Sequence, residues 1–428
     1  MGDKVRESIL NRVKEAKYFA LILDCTPDLS RKEQLSVIFR YVHEKSDKTV
    51  EICESFVDFV EITDTTGKGL SETVFKALEN YGLDIQNCRG QGYDNGANMK
   101  GKHSGLQKRI IEQNKRAFFV PCGCHSLNLV VSDAAKSSVP TVTLFGTIQR
   151  LYTLFSSSTK RWSLFLESLS RSEESCTGIP LTLKELCITR WEARIDSLKA
   201  VRYQIVEVRQ ALWDLYDDPS FEDDVRSEAN SLATMLEDYG FLISLITWYD
   251  VLFQINLASK MLQSKVINFP QVVDALKSIS DFLVDFRENG FVSSLVKAKE
   301  LAEELKVEVK FKAPRLRRRK KHFDYEVERR DENEPLTDPQ EKFKVEFFLP
   351  LVDTAYSAVE ERFEQLNAKT SKFEFLFNLD KLPDRQILLI KCQQLEELMS
   401  DGADQSDIRG AELCDELVSI QKLLPKEG

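Results

Sequence analysis

Two aspartates stand where strand patterns end, and they are the first indication of chemistry in this sequence. Asp24 ends the apolar run of residues 18–24, and Asp94 lies among glycines in the segment Gly90-Gln-Gly-Tyr-Asp-Asn-Gly96. Carboxylates at neighbouring strand ends are a common way to hold hard divalent cations such as Mg²⁺. The two residues are therefore candidate catalytic acids and candidate metal ligands. The alternative is that each aspartate only ends its strand.

The elements that must position these aspartates follow from the hydrophobic periodicity. The first run is apolar at every position, as expected of a strand buried on both faces. Three strands followed by alternating helix and strand predict an α/β fold with an RNase H-like core. In that order Asp24 ends the first strand and Asp94 follows the fourth. The predicted strands are 18–24, 34–42, 49–60, 84–89 and 117–121, and the predicted helices are 5–17, 67–81, 102–114 and 123–136.

Beyond this core the pattern becomes helical over most of the remaining chain. The sequence predicts a catalytic-type core over 1–156, a large all-helical insertion domain over 157–345 and C-terminal helices over 346–428. Residues 310–321 hold eight basic residues and no acid, and an acidic stretch follows them. We interpret this run as an exposed loop that can also serve as a nuclear import signal. Its plainer interpretation is a solvated loop balanced by the acids after it.

Composition restricts the class of protein. The 428 residues include 59 Lys and Arg against 69 Asp and Glu, a net charge of −10. This balance excludes a protein that binds nucleic acid through bulk positive charge, so any DNA contact needs a local basic patch. Nine scattered cysteines without a secretory signal predict reduced thiols in the nucleus or cytoplasm. We expect no membrane-spanning segment, because no apolar stretch reaches the required length.

Two further clusters could do chemistry. Cys122, Cys124 and His125 contain zinc-type ligands, but a structural zinc site needs four, and no second Cys/His pair follows. We therefore expect no zinc, and His125 is interpreted as a hydrogen-bonding or first-turn helix residue. Arg190 and Trp191 could bind a phosphate and stack on a base. Equally, the arginine could pair with a carboxylate and the tryptophan could pack between helices.

Four blocks occur in an order that resembles a known family. They are Leu23-Asp-Cys-Thr-Pro-Asp28, Gly90-Gln-Gly-Tyr-Asp-Asn-Gly-Ala-Asn-Met99, Cys122-Gly-Cys-His-Ser-Leu-Asn-Leu129 and Thr189-Arg-Trp191. Together they resemble the transposase domain of hAT-superfamily elements. The branch is the one found with zinc-finger MYM-type proteins, which contains domains of unknown function in transposase-derived proteins.

This resemblance implies an activity and its residues. The family uses a DDE triad on an RNase H-like fold for Mg²⁺-dependent DNA strand cleavage and transfer. By motif, Asp24 is the first acid and Asp94 the second, and both hold metal. Cys122 and His125 match a motif near the active site. Arg190 and Trp191 match a motif implicated in handling DNA.

The sequence departs from the family at the third acid. That acid is a glutamate in a C-terminal Glu-Arg-x-Phe-Ser block, which also opens the dimerisation region. This sequence reaches Gly428 without it, and Glu361-Arg-Phe363 lies too early and lacks the serine. The zinc finger of a full-length transposase is also missing. We expect a transposase-derived nuclear protein that is catalytically incompetent. The alternative is a non-enzymatic DNA- or protein-binding module, and the oligomeric state stays open.

Overall fold

The computed structural model describes residues 1–170, 181–187, 190–264, 269–311, 338–401 and 406–424. The chain divides into two compact units. Unit 1 contains Met1–Ser126, Asn268–Val273 and Arg362–Gly428, and unit 2 contains Leu127–Ile267 and Asp274–Glu361. These boundaries are not those of the three domains expected from the sequence, and that division stays a prediction. Residues 312–321 of the basic run lie outside the described residues.

Unit 1 is built on a five-stranded mixed sheet, which confirms the predicted α/β class. The strand order is β3-β2-β1-β4-β5. β1 pairs antiparallel with β2, as β2 does with β3, whereas β1 pairs parallel with β4 and β4 with β5. The strands are β1 (Phe19–Pro27), β2 (Glu33–Glu44), β3 (Val50–Ile62), β4 (Cys88–Tyr93) and β5 (Phe118–Pro121).

The fourth strand lies later than the predicted 84–89. Ile85–Asn87 form a 3-10 turn instead, and the side chain of Asp84 accepts a hydrogen bond from the Gln86 N–H at 2.9 Å. This local cap competes with the strand conformation, so β4 begins only at Cys88. The later start brings β4 up to Tyr93, directly before Asp94.

The helices of this region are α1 (Gly2–Ala16), α2 (Gly67–Tyr81), α3 (Ala97–Lys100), α4 (Leu106–Gln113) and α5 (Gly123–Ala135). The predicted helix 102–114 is wrong at its start: one turn forms at Ala97, and helix resumes only at Leu106. A Cβ on Gly101 would lie 2.4 Å from the Ala97 carbonyl oxygen. Gly101 and Gly105 therefore allow two backbone segments to approach closely, which breaks the helix between them.

One face of the sheet carries the core of unit 1. In β1, Phe19, Leu21 and Leu23 are buried, whereas Ala20 and Ile22 are half-buried and Asp24 is exposed. The strand is thus covered mainly on one face, and the expectation that it is buried on both was wrong. An apolar residue at every position of a strand therefore does not mean that both faces of the strand are equally buried.

The described residues of unit 2 form helices and the segments between them, with an aromatic cluster at two π-helical turns. Phe286–Gly290 and Lys344–Phe348 are the π turns, and the ring of Phe348 lies 5.3 Å from Phe286 and 5.4 Å from Phe291. The helices of this part of the chain are α6 (Val139–Ser156), α7 (Thr159–Ser170), α8 (Ile195–Tyr203), α9 (Ile205–Asp217), α10 (Asp223–Leu236), α11 (Tyr239–Leu262), α12 (Phe269–Asp285), α13 (Phe291–Glu304), α14 (Pro339–Phe343) and α15 (Leu349–Thr370). The first residues of α12 and the last residues of α15 are assigned to unit 1.

Helix α11 corrects the expectation that no apolar stretch is long enough to cross a membrane. Its 24 residues pass that test by length and composition among the described residues. However, 72% of its most apolar window is buried inside the protein. Trp248 at its centre is fully buried and donates a hydrogen bond to the Thr141 hydroxyl at 2.9 Å. These are the properties of a core helix.

The C-terminal part of unit 1 contains α16 (Arg385–Leu398) and α17 (Gly410–Leu423), which share a small core of their own. Asp407, between them, reaches the sheet. Its carboxylate binds the guanidinium group of Arg89 and that of Arg116, the latter at 3.2 Å, and accepts a hydrogen bond from the Tyr18 hydroxyl at 3.1 Å. The Asp407 side chain is only 9% exposed, so this is a nearly buried ionic cluster.

Candidate functional site

The structure brings Asp24 and Asp94 to adjacent strands, but β1 continues to Pro27, so the expectation that the first strand ends at Asp24 was wrong. In the parallel pairing of β1 with β4, Ile22 lies opposite Gly92. Both aspartates follow these partners by two residues, and parallel strands lie roughly 4.8 Å apart, so the aspartates lie side by side. Residues two apart project from the same face, which here is the face opposite Leu21 and Leu23. The site therefore lies at the carboxyl end of β4, beside the later part of β1.

The loop after β4 fixes the Asp94 carboxylate. Its Oδ1 accepts a hydrogen bond from the Gly96 N–H at 3.0 Å. A Cβ on Gly96 would lie 2.8 Å from the Asn98 side-chain oxygen and 3.1 Å from Asp94 Oδ1, so a larger residue would disturb the turn. Asn95 donates a hydrogen bond to the Ser126 hydroxyl at 2.9 Å, which ties this loop to the first turns of α5.

The Cys122 block begins next to the same loop. The Cys122 N–H donates to the Tyr93 carbonyl at 3.0 Å, one residue before Asp94. A hydrogen bond from the Cys124 thiol lowers the pKa of Cys122 to about 6, helped by the N–H groups of His125 and Cys124, while burial opposes the shift. These N–H groups belong to the start of α5, where a helix favours negative charge. Cys122 and His125 thus lie on the Asp94 side of unit 1.

A third carboxylate, Glu33, lies close to this region and was not identified from the sequence. Burial raises the pKa of Cys25 to about 12, with further contributions from the charges of Glu33, Asp94 and Asp24. Glu33 begins β2 opposite Pro27, and its Oε2 is buried without a hydrogen-bond partner among the described residues. It shares the core face with Leu35, so no motif or periodicity in the sequence distinguishes it from an ordinary strand residue.

Arg190 and Trp191 lie in unit 2. Arg190 is exposed. The guanidinium of Arg194 stacks 3.4 Å from the centre of the Trp191 ring, and Phe145 meets this ring edge-on at 5.4 Å. The Trp191 N–H also donates to the Asn128 side-chain oxygen. These contacts give Trp191 a packing role within unit 2, and its nucleic-acid role stays a prediction.

The donor atoms of the two aspartates are compatible with magnesium. Two carboxylates supply the hard oxygen ligands that Mg²⁺ prefers, and Mg²⁺ commonly keeps several waters. The neighbouring Cys25 thiol stays protonated at neutral pH because its pKa is about 12, so it does not compete as a soft ligand. Among the described residues, no group of three or more His, Cys, Asp or Glu side chains is arranged for a metal ion. The metal-ligand and catalytic assignments stay predictions.

Comparisons with known proteins address the ancestry of this arrangement. Residues 1–105 match the family described as DUF4371, the ZMYM1/FAM200 RNase-like domain. The human and mouse proteins named 52 kDa repressor of the inhibitor of the protein kinase are each 24% identical to the chain, over 299 and 298 residues respectively. These matches cover 67% of the chain and only 37% of each relative. Residues 1–105 are thus similar to an RNase-like domain, and the resemblance to a transposase-derived domain family drawn from the sequence blocks is confirmed.

Proposed function

We propose that this chain is a hAT transposase-derived nuclear protein whose RNase H-like core binds DNA without completing strand cleavage. The observation that carries the proposal is the side-by-side placement of Asp24 and Asp94, which follows from the pairing of Ile22 with Gly92. The helical region of residues 157–345 is an insertion into this core. Arg190 and Trp191 are its candidate contacts to DNA.

Asp24 and Asp94 would hold Mg²⁺ at the carboxyl end of β4, beside the later part of β1. A bound Mg²⁺ supplies Lewis-acid polarisation of a phosphate oxygen. The chain itself contributes the orientation of the ligands: the Gly96 N–H fixes Asp94 Oδ1, which leaves the second carboxylate oxygen to face a ligand. Cys122 and His125, at the start of α5, contribute a positive helix end near the same loop.

Whether a third carboxylate completes the metal site determines whether the chain can cleave DNA or only bind it. Two-metal phosphoryl transfer needs carboxylates that keep both ions roughly 3.5–4 Å apart. In unit 1 the extra carboxylate nearest this region is Glu33, but its position in β2 shares the core face with Leu35, opposite the face of Asp24. This arrangement supports binding of one ion rather than a competent pair.

A non-enzymatic interaction role is the second candidate. It is favoured by the name of the human and mouse relatives, 52 kDa repressor of the inhibitor of the protein kinase. Because the chain spans 37% of each relative, this role is proposed for the chain only as a nuclear module that binds DNA or protein. Repressors act through such contacts and need no catalytic metal pair.

A direct assay separates these roles. The purified chain is incubated with nicked and hairpin-ended DNA in Mg²⁺ or Mn²⁺, beside Asp24→Asn and Asp94→Asn and with Asp3→Asn as an exposed control. We expect DNA retention in a gel-shift assay and no cleavage by any variant. Metal-dependent cleavage that disappears in Asp24→Asn and Asp94→Asn but persists in Asp3→Asn would show an active nuclease. Absence of DNA binding at moderate salt would favour the protein-binding role.

A further inference from the structure

Unit 1 contains an apolar cavity beside β5, the strand at one edge of its sheet. The cavity has a volume of about 520 Å³. Residues from α4, β5, the turn before α16 and the end of α16 form its walls. The apolar members that matter here are Ile111, Phe118, Val120, Phe373, Leu398 and Met399. We call it the β5 groove.

The β5 groove exposes apolar surface that would gain by being covered. Phe118 and Phe373 meet edge-to-face at 5.7 Å and define its floor. Val120 on β5 is 44% exposed, although its strand belongs to the sheet. Each square ångström of such surface removed from water is worth about 25 cal/mol, so one large side chain placed here contributes substantially to binding. The volume is ample for a large side chain together with a short stretch of backbone.

The charges around the β5 groove have one sign. Its lining includes Arg89, Lys115 and Lys372 and, among the described residues, no carboxylate. Arg89 is engaged by Asp407, but Lys115 and Lys372 are exposed at the rim. In a chain whose net charge is −10, a positive rim around an apolar floor is a local exception. It selects for a ligand that combines apolar and acidic groups.

β5 also supplies backbone groups to such a ligand. It pairs with β4 on one side only, so alternate backbone N–H and C=O groups face away from the sheet. The strand has four residues and ends in Pro121, which lacks an N–H, so few backbone bonds are available. The side-chain contacts must therefore supply most of the affinity.

We propose that the β5 groove binds an extended peptide segment of a protein partner. A large apolar side chain of the peptide packs onto Phe118 and Phe373, and Asp or Glu residues beside it pair with Lys115 and Lys372. This inference deepens the interaction role proposed above by naming a partner class, and it does not depend on Asp24 or Asp94. A nucleic acid is the less suitable occupant because the walls are mainly aliphatic and aromatic rather than basic.

The test is a selection from random peptides on the full chain. A phage library of random ten-residue peptides is panned on the wild type, with counter-selection on Val120→Arg, whose bulk would fill the groove. Synthetic copies of the enriched peptides are then titrated by fluorescence anisotropy. We expect a large apolar residue flanked by Asp or Glu, and at least a tenfold loss of affinity in Lys115→Glu/Lys372→Glu.

Matched controls make the result decisive. Lys76→Glu, an exposed lysine of α2 outside the groove lining, should leave peptide affinity unchanged. Circular dichroism confirms the fold of every variant, and Asp94→Asn should bind the peptides as the wild type does even if the proposed metal site fails. The proposal is overturned if no peptide is enriched, if enriched peptides are basic, or if a single-stranded oligonucleotide competes through the same lysines more strongly than the peptides do.

Discussion

Within unit 1, the surroundings of Asp407 differ from those of Asp24 and Asp94. Asp407 is nearly buried and is held by two arginines and a tyrosine hydroxyl. Asp24 is exposed within β1, and Asp94 is half-buried in a loop where a backbone N–H fixes one oxygen. The first carboxylate is neutralised by the protein itself. The second pair places two carboxylates beside each other on adjacent strands, where Asp24 is open to solvent.

This difference separates a structural role from a ligand-binding role. A buried carboxylate is retained only when its partners replace the lost hydration, and then it joins the elements that supply those partners. Asp407 joins the segment before α17 to β4 and to the residue before β1. Two neighbouring carboxylates gain little from each other, because their charges repel, and they gain most from a cation. Substitution of Asp407 should therefore lower the stability of the fold, whereas substitution of Asp24 or Asp94 should mainly lower the binding of a cation.

The largest effect is expected for Asp407→Ala. Removing this carboxylate leaves Arg89 and Arg116 nearly buried without a counter-charge, and such losses cost about 3–5 kcal/mol. Urea unfolding followed by circular dichroism should show a lower midpoint. Asp415→Ala is the matched control, because Asp415 pairs with Arg385 at 2.7 Å on the exposed surface. Such pairs contribute about 0–1 kcal/mol, and equal losses in both variants would contradict the structural role of Asp407.

The pH dependence of this cluster has a definite sign. Burial works against ionisation of Asp407, but the hydrogen bond and charge of Arg89 hold its pKa below the ordinary 3.8. A carboxyl group with a lowered pKa in the folded state stabilises the fold above its unfolded pKa and loses that contribution as the pH falls through the folded value. The stability difference between wild type and Asp407→Ala should therefore shrink only below about pH 4.

The aspartate pair should behave in the opposite way. Asp24→Asn and Asp94→Asn remove a like charge from the pair, so without metal they should destabilise the fold far less than Asp407→Ala does. With Mg²⁺ at ten times its dissociation constant, the wild type should gain about 1.4 kcal/mol, and each variant should gain less. Thermal unfolding with and without Mg²⁺ measures both effects. A metal-dependent gain retained in both variants would place the ion elsewhere.

A smaller effect is expected for Tyr18→Phe. The Tyr18 hydroxyl donates to Asp407 at 3.1 Å, and its ring lies 4.3 Å from the Arg89 guanidinium. Phenylalanine keeps the ring contact and loses only the hydrogen bond, which contributes about 0.5–1.5 kcal/mol. Urea unfolding should give a loss in that range. A loss as large as that of Asp407→Ala would mean that the hydroxyl, rather than the arginines, holds the cluster.

The same comparison explains what could be predicted from the sequence. Asp24 and Asp94 follow runs with strand periodicity, so their meeting at one sheet edge could be derived from local pattern and strand order. The shift of β4 to Cys88 could not, because it depends on a side-chain cap at Asp84. Asp407 was also missed. Its partners lie 318 and 291 residues away in the sequence, and no local pattern encodes such a contact.

Glu33 was missed for a related reason. Its importance comes from burial of one oxygen beside Cys25, which depends on the register of β1 with β2 and not on any residue nearby in the sequence. The helical character of the described residues of unit 2 agrees with the apolar pattern, whereas the all-helical insertion domain over 157–345 stays a prediction. Element type follows from local pattern, whereas the partners of buried charges follow from tertiary contacts.

The last prediction concerns the reactivity of the two thiols near the aspartate pair. Cys122 is exposed and has a pKa of about 6, whereas that of Cys25 is about 12. At pH 7 Cys122 is therefore mainly thiolate, and iodoacetamide should modify it far faster than Cys25. Peptide mass spectrometry from pH 5 to 9 should give a rate midpoint near 6 for Cys122.

Substitutions of Cys124 and Asp94 test which groups set the pKa values of Cys122 and Cys25. Serine keeps a hydrogen-bond donor at position 124, so Cys124→Ala should raise the Cys122 midpoint more than Cys124→Ser does. Asp94→Asn should lower the pKa of Cys25, because one of the charges that raises it is removed.

The lowered pKa of Cys122 stabilises the fold at pH values above 9.0, the ordinary pKa of a thiol, and this contribution is lost as the pH falls through about 6. A Cys122 midpoint near 9 in the wild type would mean that the start of α5 does not hold a thiolate, and the positive helix end proposed beside Asp94 would lose its support.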